Sequence, residues 1–177
     1  MAGTSPTMTP EQPILPDILV PGLRVVFCGT QAGAASARRR VYYAGPGNKF
    51  WKTLHDIGLT PERLAPESFQ TLPAYGIGLT DVAKLTSGPD TALRSVHFDC
   101  EGFTARMVAS RPRIIAFNGK RAAQAILGPG PSYGLQPSRL AASDIFVLPS
   151  TSGAASGFWS IEPWRELAAH LARGETR

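Results

Sequence analysis

Apolar and polar positions along the 177-residue chain keep two rhythms in alternation. Residues 23–28 (LRVVFC) make a short apolar, β-branched run closed by Gly29, the pattern of a strand buried on both faces. Residues 48–57 then place Phe50, Trp51, Leu54 and Ile57 on one helical stripe, with Gly58 as its stop. A second helix is expected within 61–72 and a short strand over 77–82. Helical spacing returns over 99–110, with Phe103, Met107 and Val108 on one side, and ends at Arg111-Pro112. A strand over 114–117 leads into a helix over 120–127. Residues 128–138 are crowded with Gly and Pro and predict a loop. A strand over 145–148 stops at Pro149, and a last helix starts near Pro163 and reaches about Ala172, turning Trp164, Leu167 and Leu171 inward. Strands separated by helices predict an α/β class with a parallel sheet covered on both faces.

Composition narrows this picture. With 43% hydrophobic residues the chain can build one full core and is too short for two comfortable ones. Residues 1–16, rich in Thr, Pro and small side chains, are expected to be a flexible tail ahead of one domain over 17–177. The balance of 18 basic and 13 acidic residues, net +5, favours polyanionic partners. Cys28 and Cys100 stand far apart with no CxxC or His-Cys grouping, so neither a disulfide framework nor a zinc site is expected. No run approaches the roughly 18 apolar residues of a membrane span, and the N-terminus has no basic region followed by an apolar block. The expectation is a soluble, cytoplasmic monomer.

In open α/β sheets ligands bind beyond the carboxyl ends of the strands. Three predicted strand ends carry unusual residues: Gly29-Thr30-Gln31-Ala32-Gly33, Asn118-Gly119-Lys120 and Pro149-Ser150-Thr151-Ser152-Gly153. The first is not GxGxxG, and no GK[ST] follows it, so no nucleotide cofactor is expected. Ser150 and Ser152 lack a GxSxG setting, which argues against a serine hydrolase.

Taken in order, PGLRVVFCGTQAG, GPGNKFWKTLHDIGL, YGIGLTDVAK, RIIAFNGKRA and VLPSTSG resemble the uracil-DNA glycosylase superfamily, most closely its mismatch-specific uracil/thymine branch. The likeness spans about 18–171. It implies a three-layer α/β/α sandwich around a central parallel four-stranded sheet. It also implies monofunctional hydrolysis of the bond between uracil, or another deaminated base, and deoxyribose, with an abasic site left in single- or double-stranded DNA. Such an enzyme flips its base out of the stack. The other possibility is a catalytically weak or inactive relative that binds uracil or abasic DNA.

The resemblance also assigns roles. Gln31 stands where this branch usually has a water-holding asparagine, and Ala32 where it has a proline; the plain alternative for Gln31 is an amide that only hydrogen-bonds backbone. Asp81 is the acidic candidate for orienting water and stabilising positive charge on the sugar, with a helix N-cap or a surface charge as its plain alternatives. Tyr43 aligns with the ring on which the base stacks, with Tyr42 as fallback and a core tyrosine as the plain alternative. Gly29 and Thr30 line the base loop. Asn118 offers a donor and an acceptor to the uracil edge, or else caps the turn before Gly119. His97 could donate a proton to the leaving base, whereas His55 and Asp56 read as solvated. Arg38, Arg39 and Arg40, expected to form a basic loop, together with Lys49, Lys52 and Lys120, are placed to meet phosphates. Pro149, Ser150, Thr151, Ser152 and Gly153 match the loop that presses on DNA. Ala154-Ala155-Ser156 are poor wedges for a vacated stack, which leaves Phe158 or Trp159, or weak dependence on duplex insertion.

Overall fold

The computed structural model describes residues 11–175. Five strands form one sheet: β1 (Val25–Gly29), β2 (Ile77–Asp81), β3 (Ile114–Asn118), β4 (Gly134–Leu140) and β5 (Ser143–Leu148), in the order β2-β1-β3-β5-β4. The four strands read from the sequence pair in parallel, and β4 adds an antiparallel edge. The expected four-stranded sheet is therefore corrected to five. Residues 128–138 hid β4 because Pro137 and Gly134 read as loop signals. An edge strand tolerates a residue without an N–H, and the β4/β5 register slips between Leu135 and Arg139, around that proline.

Every residue of β1, β2 and β3 is buried, and successive residues feed opposite faces of the sheet. Val25, Phe27, Ile114, Ala116, Phe146 and Leu148 join one apolar cluster with residues of α2 (Phe50–Asp56) and α5 (Glu162–Gly174). Val26, Cys28, Ile115, Phe117, Ile145 and Val147 join a second with α3 (Cys100–Ser110) and α4 (Lys120–Leu127). Two cores separated by one sheet make the three-layer α/β/α arrangement. The Asp99 carboxylate caps α3 by accepting from Gly102 N at 2.9 Å, a contact worth about 1 kcal/mol. At the other end Arg111 turns left-handed (φ 47°) ahead of Pro112.

Two more expectations change. Residues 66–75 form a 3₁₀ helix, Pro66–Tyr75, in place of the helix expected over 61–72, with Pro66 at its start and Pro73 inside it denying α-type bonds. The segment expected to be a tail is docked from Ile14 onward. Ile14 N donates to Lys84 O at 2.8 Å, Leu15 is buried, and Ile18 bridges Leu79. The remainder of that expectation, residues 1–10, lies outside the described residues.

The topology fixes where a site can form. The chain leaves β1 for β2 on one side and returns through α3 to β3 on the other. The strand order thus reverses at β1/β3, and the crevice beyond their carboxyl ends is the natural binding position. Gly29 ends β1, Asn118 ends β3, and Asp81 pairs with Gly29 at the end of β2.

Candidate active site

Asp81 is neither a cap nor a surface charge. It is the last residue of β2 and only 4% exposed. Its carboxylate lies over Gly29, where an added Cβ would stand 2.7 Å from Asp81 Oδ1 and 3.3 Å from the Tyr43 hydroxyl. No residue but glycine leaves room for that approach. Burial pushes the Asp81 carboxyl up to about 6, assisted by the charges of Asp17 and Asp90 and opposed by Lys84 and Arg106.

Behind β2, Asp17 gathers the opposing charges. Its carboxylate pairs with Lys84 Nζ at 2.7 Å and Arg106 Nε at 3.0 Å, and accepts from Thr80 Oγ1 at 2.7 Å. Arg106 also donates to the backbone oxygen of Asp81 at 3.2 Å. Neither Asp17, at the edge of a presumed tail, nor Arg106, on a helix 25 residues past Asp81, carried any sequence signal. Only the fold brings them together.

The Gln31 amide has a determined orientation. Its Nε2 donates to two backbone carbonyls, Gly88 O at 2.9 Å and Pro89 O at 3.1 Å. Carbonyls only accept, so the amide cannot be flipped, and Oε1 is left buried with no partner. Thr30 Oγ1 donates to Asp90 Oδ1 at 2.6 Å, which faces this residue toward the neighbouring loop.

Tyr43 adopts φ 52°, a left-handed conformation that costs a non-glycine residue about 1 kcal/mol or more. Its ring lies 4.1 Å from that of Phe50 at 32°, and its hydroxyl is buried without a partner. Burial, with help from Asp81, drives the phenol well above its usual range against the influence of Asn118, so it stays a neutral donor. Tyr42 is excluded as a substitute. It is buried in the core, donates to Pro16 O at 3.0 Å and receives Lys84 Nζ at 3.2 Å.

Asn118 reaches sideways. Its Oδ1 accepts from Thr151 N at 3.0 Å and its Nδ2 donates to Thr151 Oγ1 at 2.9 Å. One donor and one acceptor are consumed in tying β3 to the 149–153 loop, leaving one N–H and one lone pair. Gly119 (φ 110°) packs against Ser150, whose Cβ would be 3.2 Å from an added Cβ.

Residues 16–168 match the uracil DNA glycosylase superfamily. The chain belongs to this superfamily. Its members are DNA glycosylases, hydrolases of the bond between base and sugar. The chain is also similar to the solution NMR structure of a proposed uracil DNA glycosylase from Methanosarcina acetivorans, at 28% identity and a TM-score of 0.63, over 92% of this chain and 98% of that one.

The DNA-facing residues expected for a glycosylase divide into two groups. Arg38 and Arg39 belong to a short helix, α1 (Ala34–Arg39), and Arg40 caps it in a left-handed conformation. The basic loop is thus corrected to a helix end. All three arginines are exposed, and Arg39 pairs with Glu67 and donates to Ala44 O at 3.1 Å. Lys49 Nζ donates to Ser156 Oγ at 3.0 Å and lies 5.5 Å from the Trp159 ring. Lys52 pairs with Asp56, and Lys120 lies over Tyr133 at 4.4 Å.

Within the 149–153 loop, Pro149 and Thr151 face inward, contrary to a role in touching DNA. Pro149 O accepts from Trp164 Nε1 at 3.0 Å, and Thr151 is buried against Asn118. Ser150 and Ser152 are partly exposed and Gly153 is exposed. Gly153 meets Gly47, whose backbone oxygen would be 3.4 Å from an added Cβ. His97 is turned into its own turn, accepting from Arg94 N at 3.0 Å. His55 faces Thr60 O at 3.4 Å, on the far end of α2. Among the described residues no helix is long and apolar enough to cross a membrane.

Proposed function

We propose that this glycosylase is monofunctional, acts as a cytoplasmic monomer and removes uracil from DNA, with other deaminated bases as lesser substrates, within the mismatch-specific uracil/thymine branch of the superfamily. The observation that carries the reading is the fixed Gln31 amide, whose Oε1 is buried without a partner, two residues beyond Gly29, against which the Asp81 carboxylate packs. An oxygen that can only accept orients a water by taking one of its hydrogens. The water oxygen then attacks the anomeric carbon as the bond to the base nitrogen breaks, its electron pair leaving with the base. Asp81, ionised above about pH 6, stabilises positive charge on the sugar and receives the proton released by the water.

The everted base stacks on Tyr43, and the remaining donor and acceptor of Asn118 read its edge. Arg38, Arg40, Lys49 and Lys120, with Ser150, Ser152 and Gly153, meet the backbone of the target strand. Phe158, 76% exposed, is the wedge, since Trp159 is held between Lys49 and Trp164. Incubating the purified protein with uracil-containing single- and double-stranded oligonucleotides should create alkali-labile sites. Binding to uracil or abasic DNA with no such sites would instead mark an inactive relative.

A further inference from the structure

The loop bearing Gln31 contains no proline to fix its backbone. It is nevertheless bonded at each of residues 29–32 to one stretch of chain, 82–90. Gly29 O accepts from Val82 N at 3.0 Å and Thr30 O from Ala83 N at 2.8 Å, which extends the β1/β2 ladder. Beyond the ladder the partner is irregular. Gly88 N donates to Ala32 O at 2.9 Å, Ala32 bridges Ser87, Gln31 Nε2 reaches Gly88 O and Pro89 O, and Thr30 Oγ1 reaches Asp90. Gly88 sits at φ 117°, a conformation open to glycine alone, and there its N–H and C=O both serve the Gln31 loop. Asp90 is an exposed carboxylate bonded to a buried hydroxyl at 2.6 Å, the short distance of a charge-assisted bond.

We propose that residues 88–90 are a clamp that holds the Gln31 amide in its reactive orientation, and that Asp90 is a positioning residue acting through Thr30. This rests on the reading of Gln31 as the water-holding group. Two carbonyls fix which end of the amide is left without a partner, and the Thr30–Asp90 bond keeps the clamp from sliding along the loop. A shift of about 1 Å at such a group is enough to slow chemistry about 100-fold, so loss of the clamp is expected in the chemical step and not in DNA affinity.

The test compares wild type, Thr30→Val, Asp90→Ala, Asp90→Asn and the Thr30→Val/Asp90→Ala double variant in single-turnover excision on a uracil-containing single strand. Affinity for the same strand and melting temperature are measured alongside. Thr30→Val and Asp90→Ala should each lower the rate about 10- to 100-fold with affinity within about twofold. The double variant should be no slower than the worse single one, as expected for two ends of one contact. Asp90→Asn keeps an oxygen acceptor for Thr30 and should restore most of the rate. Thr30→Val is nearly isosteric and carries the test if Asp90→Ala does not fold. Single-variant rates equal to wild type, or losses that multiply in the double variant, would overturn the clamp while leaving the glycosylase assignment intact, provided Gln31→Ala is impaired. No excision by the wild type would overturn both.

Discussion

Replacing Asp81 with asparagine should make the protein more stable and nearly inactive at once. The carboxyl titrates near 6 in the folded protein against an ordinary value of 3.8, a gap of about 2 pH units at about 1.4 kcal/mol each. The folded protein therefore holds this proton more tightly than the unfolded chain between about pH 4 and 6. Stability falls through that window as pH rises, by up to about 3 kcal/mol, and stays low above it. Asp81→Asn removes the buried charge and keeps the shape. It should match wild type near pH 4 and exceed it above pH 7 by at most about 3 kcal/mol, or roughly 6–12 °C in melting temperature for a chain of this length. Urea or thermal unfolding at pH 4.5 and 8 measures the gap. Excision by the wild type should run the opposite way, dropping about tenfold per pH unit below 6 as the carboxylate is protonated. A stability difference independent of pH, or an excision rate flat from pH 5 to 8, would refute the picture of a buried carboxylate that must be ionised to work.

Other outcomes follow from the same geometry. Gly29→Ala drives a Cβ to 2.7 Å from the Asp81 carboxylate and should destabilise by about 1–3 kcal/mol as well as abolish excision; wild-type melting would contradict that packing. Tyr43→Ala should weaken productive base capture by about 5- to 150-fold, the equivalent of about 1–3 kcal/mol of stacking, whereas Tyr43→Phe keeps the ring and should retain most of it, as read from single-turnover rates at limiting enzyme. Phe158→Ala should slow excision from duplexes about tenfold and leave single strands nearly unaffected, because a wedge matters only where a stack must be held open; equal losses on both would remove Phe158 from that role.

The parallel strands and four of the helices were legible because their signals are local. A β-branched run ended by glycine, or a stripe of Phe50, Trp51 and Leu54, needs no distant partner to be read. β4 was not legible because its apolar signal is weak and Pro137 speaks against a strand until an edge position is known. The α1 helix was hidden by its own arginines, which look like a solvated basic loop. At the proposed site, Gln31 and Asp81 were singled out because they lie at or just past strand ends, and Tyr43 through the family resemblance alone. Their supports were not: Asp17, Lys84 and Arg106 act on Asp81 from three separate segments, and Asp90 acts on Thr30 across 60 residues. Thr151 was misjudged for a related reason, since only the folded chain shows Asn118 taking up its hydroxyl and its N–H.

The most direct measurement is single-turnover excision of uracil from a single-stranded oligonucleotide by wild type and Gln31→Ala, scored as alkali-labile sites. The account predicts efficient cleavage by wild type and a rate about 100-fold lower for Gln31→Ala, with DNA affinity little changed. Wild-type protein that binds the strand and leaves it intact, or a Gln31→Ala variant as fast as wild type, would contradict it.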